Sequence, residues 1–400
     1  MLQLAVTNFR ANTYLVVEGT PNVDRFFIIQ QGQVVCKQGS GAVTPSKRLG
    51  PGDFIGVIPC MAGRSQMESV IALTDGAAIA VRRDQYPELI MRNTPVAMKI
   101  IRTFANNMRE VNEELSRITL GRNVVDTAEN IIGVAEYYDQ EGMTDIAAYA
   151  YYQYLKECPT GPSLELAKQR FVKLKPHSKA VYYEPNNDLV RSYPQGTMIM
   201  AEHQRGQDMF IIQEGVVRIT KVVDGAEVTL ALLQKGDMFG EMALLEDKPR
   251  SASAIANEDC RLMTVNRANF LQMVSTQPQM ISRLTTTLAE RLWSMNRQLI
   301  NTKITDPVEK LIDMLALQLE KLKRDFTAAD VYQSDYSTTD LANMCSIPDH
   351  YKARAMIQFE SDRHIKISGG KICVRDIPDL IEQAAFYRKR VEKKAAAVQQ

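Results

Sequence analysis

Phe27-Ile28-Ile29-Gln30-Gln31-Gly32-Gln33-Val34 is written a second time, little changed, as Phe210-Ile211-Ile212-Gln213-Glu214-Gly215-Val216-Val217. Downstream, Gly50-Pro51-Gly52-Asp53-Phe54-Ile55-Gly56 is echoed by Leu233-Gln234-Lys235-Gly236-Asp237-Met238-Phe239-Gly240. The separation of the copies shifts by one residue across the hairpin loop between these stretches, where a change of length costs little. A repeat this long, present twice, means tandem domains rather than a solenoid. Within each copy, short apolar runs rich in Ile, Val and Phe are separated by glycines, which reads as strands joined by tight turns in a sandwich or roll.

Each copy then ends in a helical stretch. In the second, Ile281, Leu284, Leu288, Leu292, Met295 and Leu299 recur at three- or four-residue steps and form one narrow apolar stripe. Val96, Ile100, Ile101, Phe104, Met108, Val111 and Leu115 do the same in the first. Between the copies, over 122–178, Ile131, Ala135, Tyr138, Gly142, Ala147, Ala150, Tyr151, Tyr154 and Leu155 predict a helical hairpin resembling a single tetratricopeptide-like unit. That segment is either a docking surface for a protein partner or a packed spacer. One unit offers little concave surface, which favours the spacer.

The chemistry concentrates in Phe239-Gly240-Glu241-Met242-Ala243-Leu244-Leu245 and Pro249-Arg250-Ser251-Ala252-Ser253. A glycine followed by a short helix presents free backbone N–H groups to one anion. An arginine ten residues on can bring a planar fork of donors to the same anion. Ser251 adds a hydroxyl, and Glu241 an acceptor suited to the hydroxyl edge of a ribose. Together they describe a site for a nucleotide monoester. No carboxylate pair, P-loop lysine or nucleophile–base pair accompanies them, so the reading is a binder and not an enzyme.

The pattern G-E-[LM]-A-L followed by P-R-S/T-A resembles the phosphate-binding cassette of cyclic-nucleotide-binding domains, as in Crp–Fnr regulators and kinase regulatory subunits. The resemblance covers about 181–300. It implies that Glu241 takes the ribose 2′-hydroxyl and Arg250 the cyclic phosphate. Ser251, Ala252 and the backbone of Gly240, Met242 and Ala243 would complete the phosphate site. It also implies that the helix after the roll contacts the base, here through Arg291 and Asn296. Asn296 can read adenine or guanine; cyclic AMP is the first expectation and cyclic GMP the alternative.

Laying 56–72 on 240–256 without gaps pairs Gly56 with Gly240, but Val57 with Glu241 and Gln66 with Arg250. The ribose acceptor and the phosphate charge are both missing, and Arg64 lies two residues early. The first copy is therefore expected to keep the fold without the nucleotide. It could take another ligand, contact a partner subunit or hold the second copy in place.

Beyond the second copy, Asp306-Pro307 opens a helix, and Tyr336–Asp376 resembles the winged helix-turn-helix of Crp–Fnr regulators. The reading helix would be 348–359, offering Asp349, His350, Tyr351, Lys352 and Arg354 to duplex DNA. Only Arg354 fits the family's usual reading pattern. Ser346 stands where a turn glycine is usual, so a protein-contact role for this module stays open. Over 336–400 there are 11 Lys and Arg against 8 Asp and Glu, a weakly basic balance.

The expected architecture is α+β. A degenerate cyclic-nucleotide-binding β-roll (1–121) is joined by the helical hairpin (122–180) to a second, binding roll (181–303). The winged helix (304–384) and a basic tail (385–400) follow, and the 281–303 helix is expected to be a homodimer seam. The net charge of +1 excludes neither nucleic acid nor acidic ligands. The six cysteines form no C-x-x-C pair, so no metal site is expected. Without a signal-peptide pattern or an apolar run near the roughly 20 residues of a membrane helix, the expectation is a cytoplasmic protein.

Overall fold

The computed structural model describes residues 4–21, 23–38, 47–120, 127–183, 189–223, 225–241, 249–334, 336–345 and 347–398. Two compact units emerge, one of Met1–Leu89, Asn107–Arg122 and Thr285–Gln400, the other of Ile90–Asn106 and Asn123–Leu284.

The first unit begins with a roll of eight strands: β1 Ala5–Phe9, β2 Tyr14–Val16, β3 Arg25–Gln31, β4 Val34–Gln38, β5 Lys47–Leu49, β6 Phe54–Ile55, β7 Glu68–Ala72 and β8 Gly76–Arg82. They form two antiparallel sheets, β1-β8-β3-β6 and β2-β7-β4-β5. Phe9, Val16, Ile29, Val34, Ile55, Val70 and Ala78, drawn from both sheets, make one core, as inward-facing residues of a sandwich do. The repeated glycine closes the β3–β4 hairpin: Gly32 has φ +92°, and a Cβ there would sit 2.8 Å from the Asp75 carbonyl. Short helix α1 (Val57–Ala62) lies within the roll; α2 (Tyr86–Arg92) and α3 (Thr94–Leu120) follow it.

The second unit holds the helical segment and the second roll. Helices α4 (Ile131–Gln140), α5 (Thr144–Glu157) and α6 (Leu164–Leu174) precede strands β9 Val190–Tyr193, β10 Met198–Met200, β11 Asp208–Glu214, β12 Val217–Val223, β13 Ala226–Leu233, β14 Met238–Phe239, β15 Ser253–Ala256 and β16 Cys260–Asn266. Their order, β9-β16-β11-β14 and β10-β15-β12-β13, repeats that of the first roll strand for strand. Gly215 (φ +86°) repeats Gly32. The apolar and aromatic face of α4 and α5 (Val134, Tyr138, Tyr151, Tyr154) shares a core with Met198, Ala201 and Ile255 of the roll. Polar tips fix it there: Tyr138 Oη lies 3.1 Å from Thr220 Oγ1, Tyr149 Oη donates to the Ile199 carbonyl (3.0 Å), and the Glu227 amide donates to Tyr137 Oη (3.1 Å). These three tyrosine hydroxyls are engaged with the second roll, as a packed spacer requires.

The chain then forms α7 (Arg267–Thr276), α8 (Pro278–Thr302), α9 (Pro307–Lys321), α10 (Thr338–Met344), α11 (Asp349–Glu360) and α12 (Ile377–Val398), with a three-stranded sheet of β17 (Val331–Gln333), β19 (Lys371–Arg375) and β18 (Ile365–Ser368). Asp306 caps α9, its Oδ1 accepting from the Val308 and Glu309 amides at 2.8 and 3.1 Å. A reciprocal Ser337–Asp340 pair caps α10. Helix α12 runs through 384, so the basic tail is its second half rather than a separate segment.

The expected homodimer seam falls on α8. Ile281, Leu284, Leu288 and Leu292 are at most 1% exposed in a single chain. Met295 and Leu299 are half-buried.

Candidate functional site

Gly240 ends β14 in a left-handed turn (φ +80°) that only glycine adopts without strain. Arg250 reaches it from the chain entering β15. The Arg250 amide donates to the Gln204 carbonyl, and the His203 amide donates to the Arg250 carbonyl, both at 2.8 Å. With its backbone pinned, Arg250 turns inward: Nη1 donates to the Gly240 carbonyl and Nη2 to the Asp208 carbonyl, each at 2.6 Å. Two glycines make room for the fork. A Cβ on Gly206 would stand 2.5 Å from Nη2, and one on Gly240 2.7 Å from Nη1.

The guanidinium is buried, and burial pulls its pKa below the ordinary value; Tyr149, Asp208 and Glu241 oppose that pull. Nε has no hydrogen-bond partner among the described residues. A buried cation whose partners are mostly neutral carbonyls, with a donor to spare, is arranged to receive an anion. Glu241 is 3% exposed in the same place, while Ser251 is half-buried and Ala252 buried. These residues fit a cyclic phosphate beside a ribose. Met242 and Ala243 lie outside the described residues. Arg291 and Asn296 belong to the other unit, and the Asn296 amide donates to the Leu292 carbonyl at 2.8 Å.

Sequence reasoning missed the surroundings of the fork. Asp208 serves through its carbonyl while its carboxylate pairs with buried Arg191 at 3.3 Å. Tyr149, on α5, stands near enough to bias the Arg250 charge, and its own phenol is pushed up to about 12 by burial. No side-chain pattern signals a carbonyl contact. The only hint was Gly206 two residues ahead of Asp208.

In the first roll the same backbone carries different chemistry. The Gln66 amide donates to the Thr20 carbonyl and the Gly19 amide to the Gln66 carbonyl, both at 2.9 Å. This reproduces the Gln204–Arg250–His203 pattern 184 positions earlier in the chain, so the gapless alignment holds in space. Gln66 Nε2 sits 2.9 Å from where a Cβ on Gly56 (φ +67°) would be. The amide thus fills the niche of the guanidinium, and buried Val57 fills that of Glu241.

In the second half of the chain, His350, Tyr351 and Arg354 on α11 are exposed. Lys352 is half-buried and donates to Asn343 Oδ1 at 3.1 Å. Asp349 is the first residue of α11. Two arginines of the basic tail are paired within the chain: Arg388 with Asp313 at 2.6 Å, and Arg390 with Glu309. Among the described residues no helix is long and apolar enough to cross a membrane.

The family model "Cyclic nucleotide-binding domain" matches residues 6–93 and 190–277. The chain is 30% identical over 197 residues to the Cyclic AMP receptor protein of Thermus thermophilus, covering 49% of this chain and 88% of that protein. It is 26% identical over 187 residues to the cAMP-activated global transcriptional regulator CRP of Pasteurella multocida, covering 46% and 88%. A shorter stretch of 79 residues is 39% identical to the cAMP-dependent protein kinase regulatory subunit of Mycosarcoma maydis, covering 19% of this chain and 15% of that one.

Proposed function

This chain belongs to the Crp–Fnr family, and from that premise we propose that it is a cyclic-nucleotide-responsive, DNA-binding regulator of transcription with one working nucleotide site. The observation that carries the reading is the buried Arg250 fork, held over two glycines with Nε unpartnered and Glu241 beside it. Cyclic AMP is the proposed ligand, because Crp-type relatives and a kinase regulatory subunit alike carry it in their names; cyclic GMP is the alternative. The chain acts as a binder and catalyses nothing. Exposed Arg354, with His350 and Tyr351, makes α11 the element offered to the major groove.

A second reading, a nucleotide-sensing adaptor that touches protein instead of DNA, draws on one observation. Ile357, on the same helix as Arg354, is 67% exposed, an odd residue for a polar groove and a natural one for a protein contact.

The deciding experiment captures genomic DNA fragments on the purified full chain with cyclic AMP, with cyclic GMP and with neither, then sequences them. Enrichment of one motif with one nucleotide is the expected result. Nucleotide binding without enrichment under any condition overturns the DNA half and leaves the adaptor.

A further inference from the structure

Arg64 is the cation the first roll kept after losing its cassette, and it serves elsewhere in its own unit. Its guanidinium lies 4.5 Å from the ring centroid of Trp293, which is on α8 and only 7% exposed. Its Nε has no hydrogen-bond partner among the described residues, so the ring face stands where a fork would otherwise want an anion. Glu290 and Glu320 favour its charge against the cost of burial. A second link lies nearby in the chain: Tyr86 Oη, fully buried, is 3.1 Å from buried Thr285 Oγ1. The first roll therefore holds the helix that follows the other roll.

Contacts continue past the tryptophan. Arg297, one turn along α8, lies 5.9 Å from the same ring. It reaches Asp313 and Glu320 of α9 at 3.4 and 3.3 Å. Asp313 is fully buried, and it also takes Asn301 Nδ2 (3.0 Å) and Arg388 of α12 (2.6 Å). An unbroken line of charge and ring contacts thus runs from the first roll through α8 and α9 to α12. A buried carboxylate shared by two arginines and an amide fixes directions closely, since no partner can leave without stranding a charge.

We propose that the degenerate first roll is the anchor of the output helices: Arg64 clamps Trp293, and the Arg297–Asp313–Arg388 cluster passes that position to α9 and α12. Arg64 is a positioning residue and touches no ligand. This explains why a roll without the cassette's glutamate and arginine retains the half-buried Arg64.

Trp293 is the only tryptophan, so its fluorescence reports this joint without a label. In ligand-free full chain, Arg64→Ala is expected to shift the emission to the red. The acrylamide quenching rate should rise about tenfold, the population change that losing a desolvated cation–π contact of roughly 1.4 kcal/mol allows. Arg64→Lys keeps the cation and loses the planar stack, and should fall between. Unchanged emission and quenching in folded Arg64→Ala overturns the clamp. Should that variant fail to fold, Arg64→Lys decides, and quenching identical to the parent overturns the proposal equally. No nucleotide or DNA enters the assay, so its outcome stands apart from the regulator reading.

Discussion

The two rolls share a backbone down to single hydrogen bonds and differ in what fills one niche. Above Gly240 sits a buried guanidinium with Glu241 alongside; above Gly56 sit Gln66 and Val57. Strand order, the left-handed glycine and the backbone pair that pins residue 250 or 66 are common to both. Scaffold geometry therefore does not distinguish the proposed nucleotide site from its counterpart in the first roll. Two side chains do, because a phosphate needs compensating charge and an amide supplies only a neutral dipole.

The most disruptive way to break the comparison is to write half of the missing chemistry into the first roll. Val57→Glu places a carboxylate in a buried site without its arginine and should destabilise the protein by about 3–5 kcal/mol. Adding Gln66→Arg should recover at least about 1 kcal/mol of that. Urea unfolding of the single and double variants measures both, and equal losses would show that the niches are not equivalent. Next comes the reverse substitution. Arg250→Gln copies the first roll into the second and should weaken cyclic AMP binding at least about tenfold by calorimetric titration, since a charge-assisted contact is worth roughly 1.5–3 kcal/mol. Undiminished affinity would remove Arg250 from the site.

Both variants could be designed from sequence, because the Phe-Ile-Ile-Gln repeat sets the register and the register pairs Gln66 with Arg250. Glycines at hairpins and before the cassette were legible for the same reason: they mark backbone that other residues enter only under strain. The cover of α8 was not legible. Its leucines announce burial, and a helical stripe looks the same whether a second copy or the same chain lies on it. Arg64–Trp293 was hidden because the partners lie more than two hundred positions apart, and neither belongs to a motif. The Asp208 carbonyl was hidden because every residue has one.

A smaller effect sharpens the comparison one residue before the pinning pair. Glu18 and Glu202 are equivalent, their amides donating to Ser69 Oγ (3.0 Å) and Ser253 Oγ (2.9 Å). Glu18 is half-exposed, whereas Glu202 is buried in the roll that carries the α4–α5 hairpin. Burial raises the Glu202 pKa above its ordinary 4.5, against the pull of Lys221 and His203. Above 4.5 the folded state holds a proton that the unfolded state has released, so this residue's contribution falls as pH rises through that interval. Glu202→Gln should flatten that slope in stability measured from pH 4.5 upward, and Glu18→Gln should leave it alone. A slope indifferent to Glu202→Gln would mean that Lys221 already compensates the burial.

The smallest expected change lies at the next position, where Gly19 (φ +80°) is matched by His203 (φ +67°). A side chain in the left-handed region costs about 1–2 kcal/mol, yet histidine is among the residues found there more often. His203→Gly relieves that strain. It also frees the unfolded chain, at a cost of about 0.4–1 kcal/mol, and gives up the ring's approach to Glu202 at 3.4 Å. The terms nearly cancel, so stability should move by less than about 1 kcal/mol. A loss above about 2 kcal/mol in urea unfolding, beyond what strain and chain entropy together allow, would show that the imidazole helps hold the buried carboxylate, a duty that its exposed counterpart in the first roll never acquired.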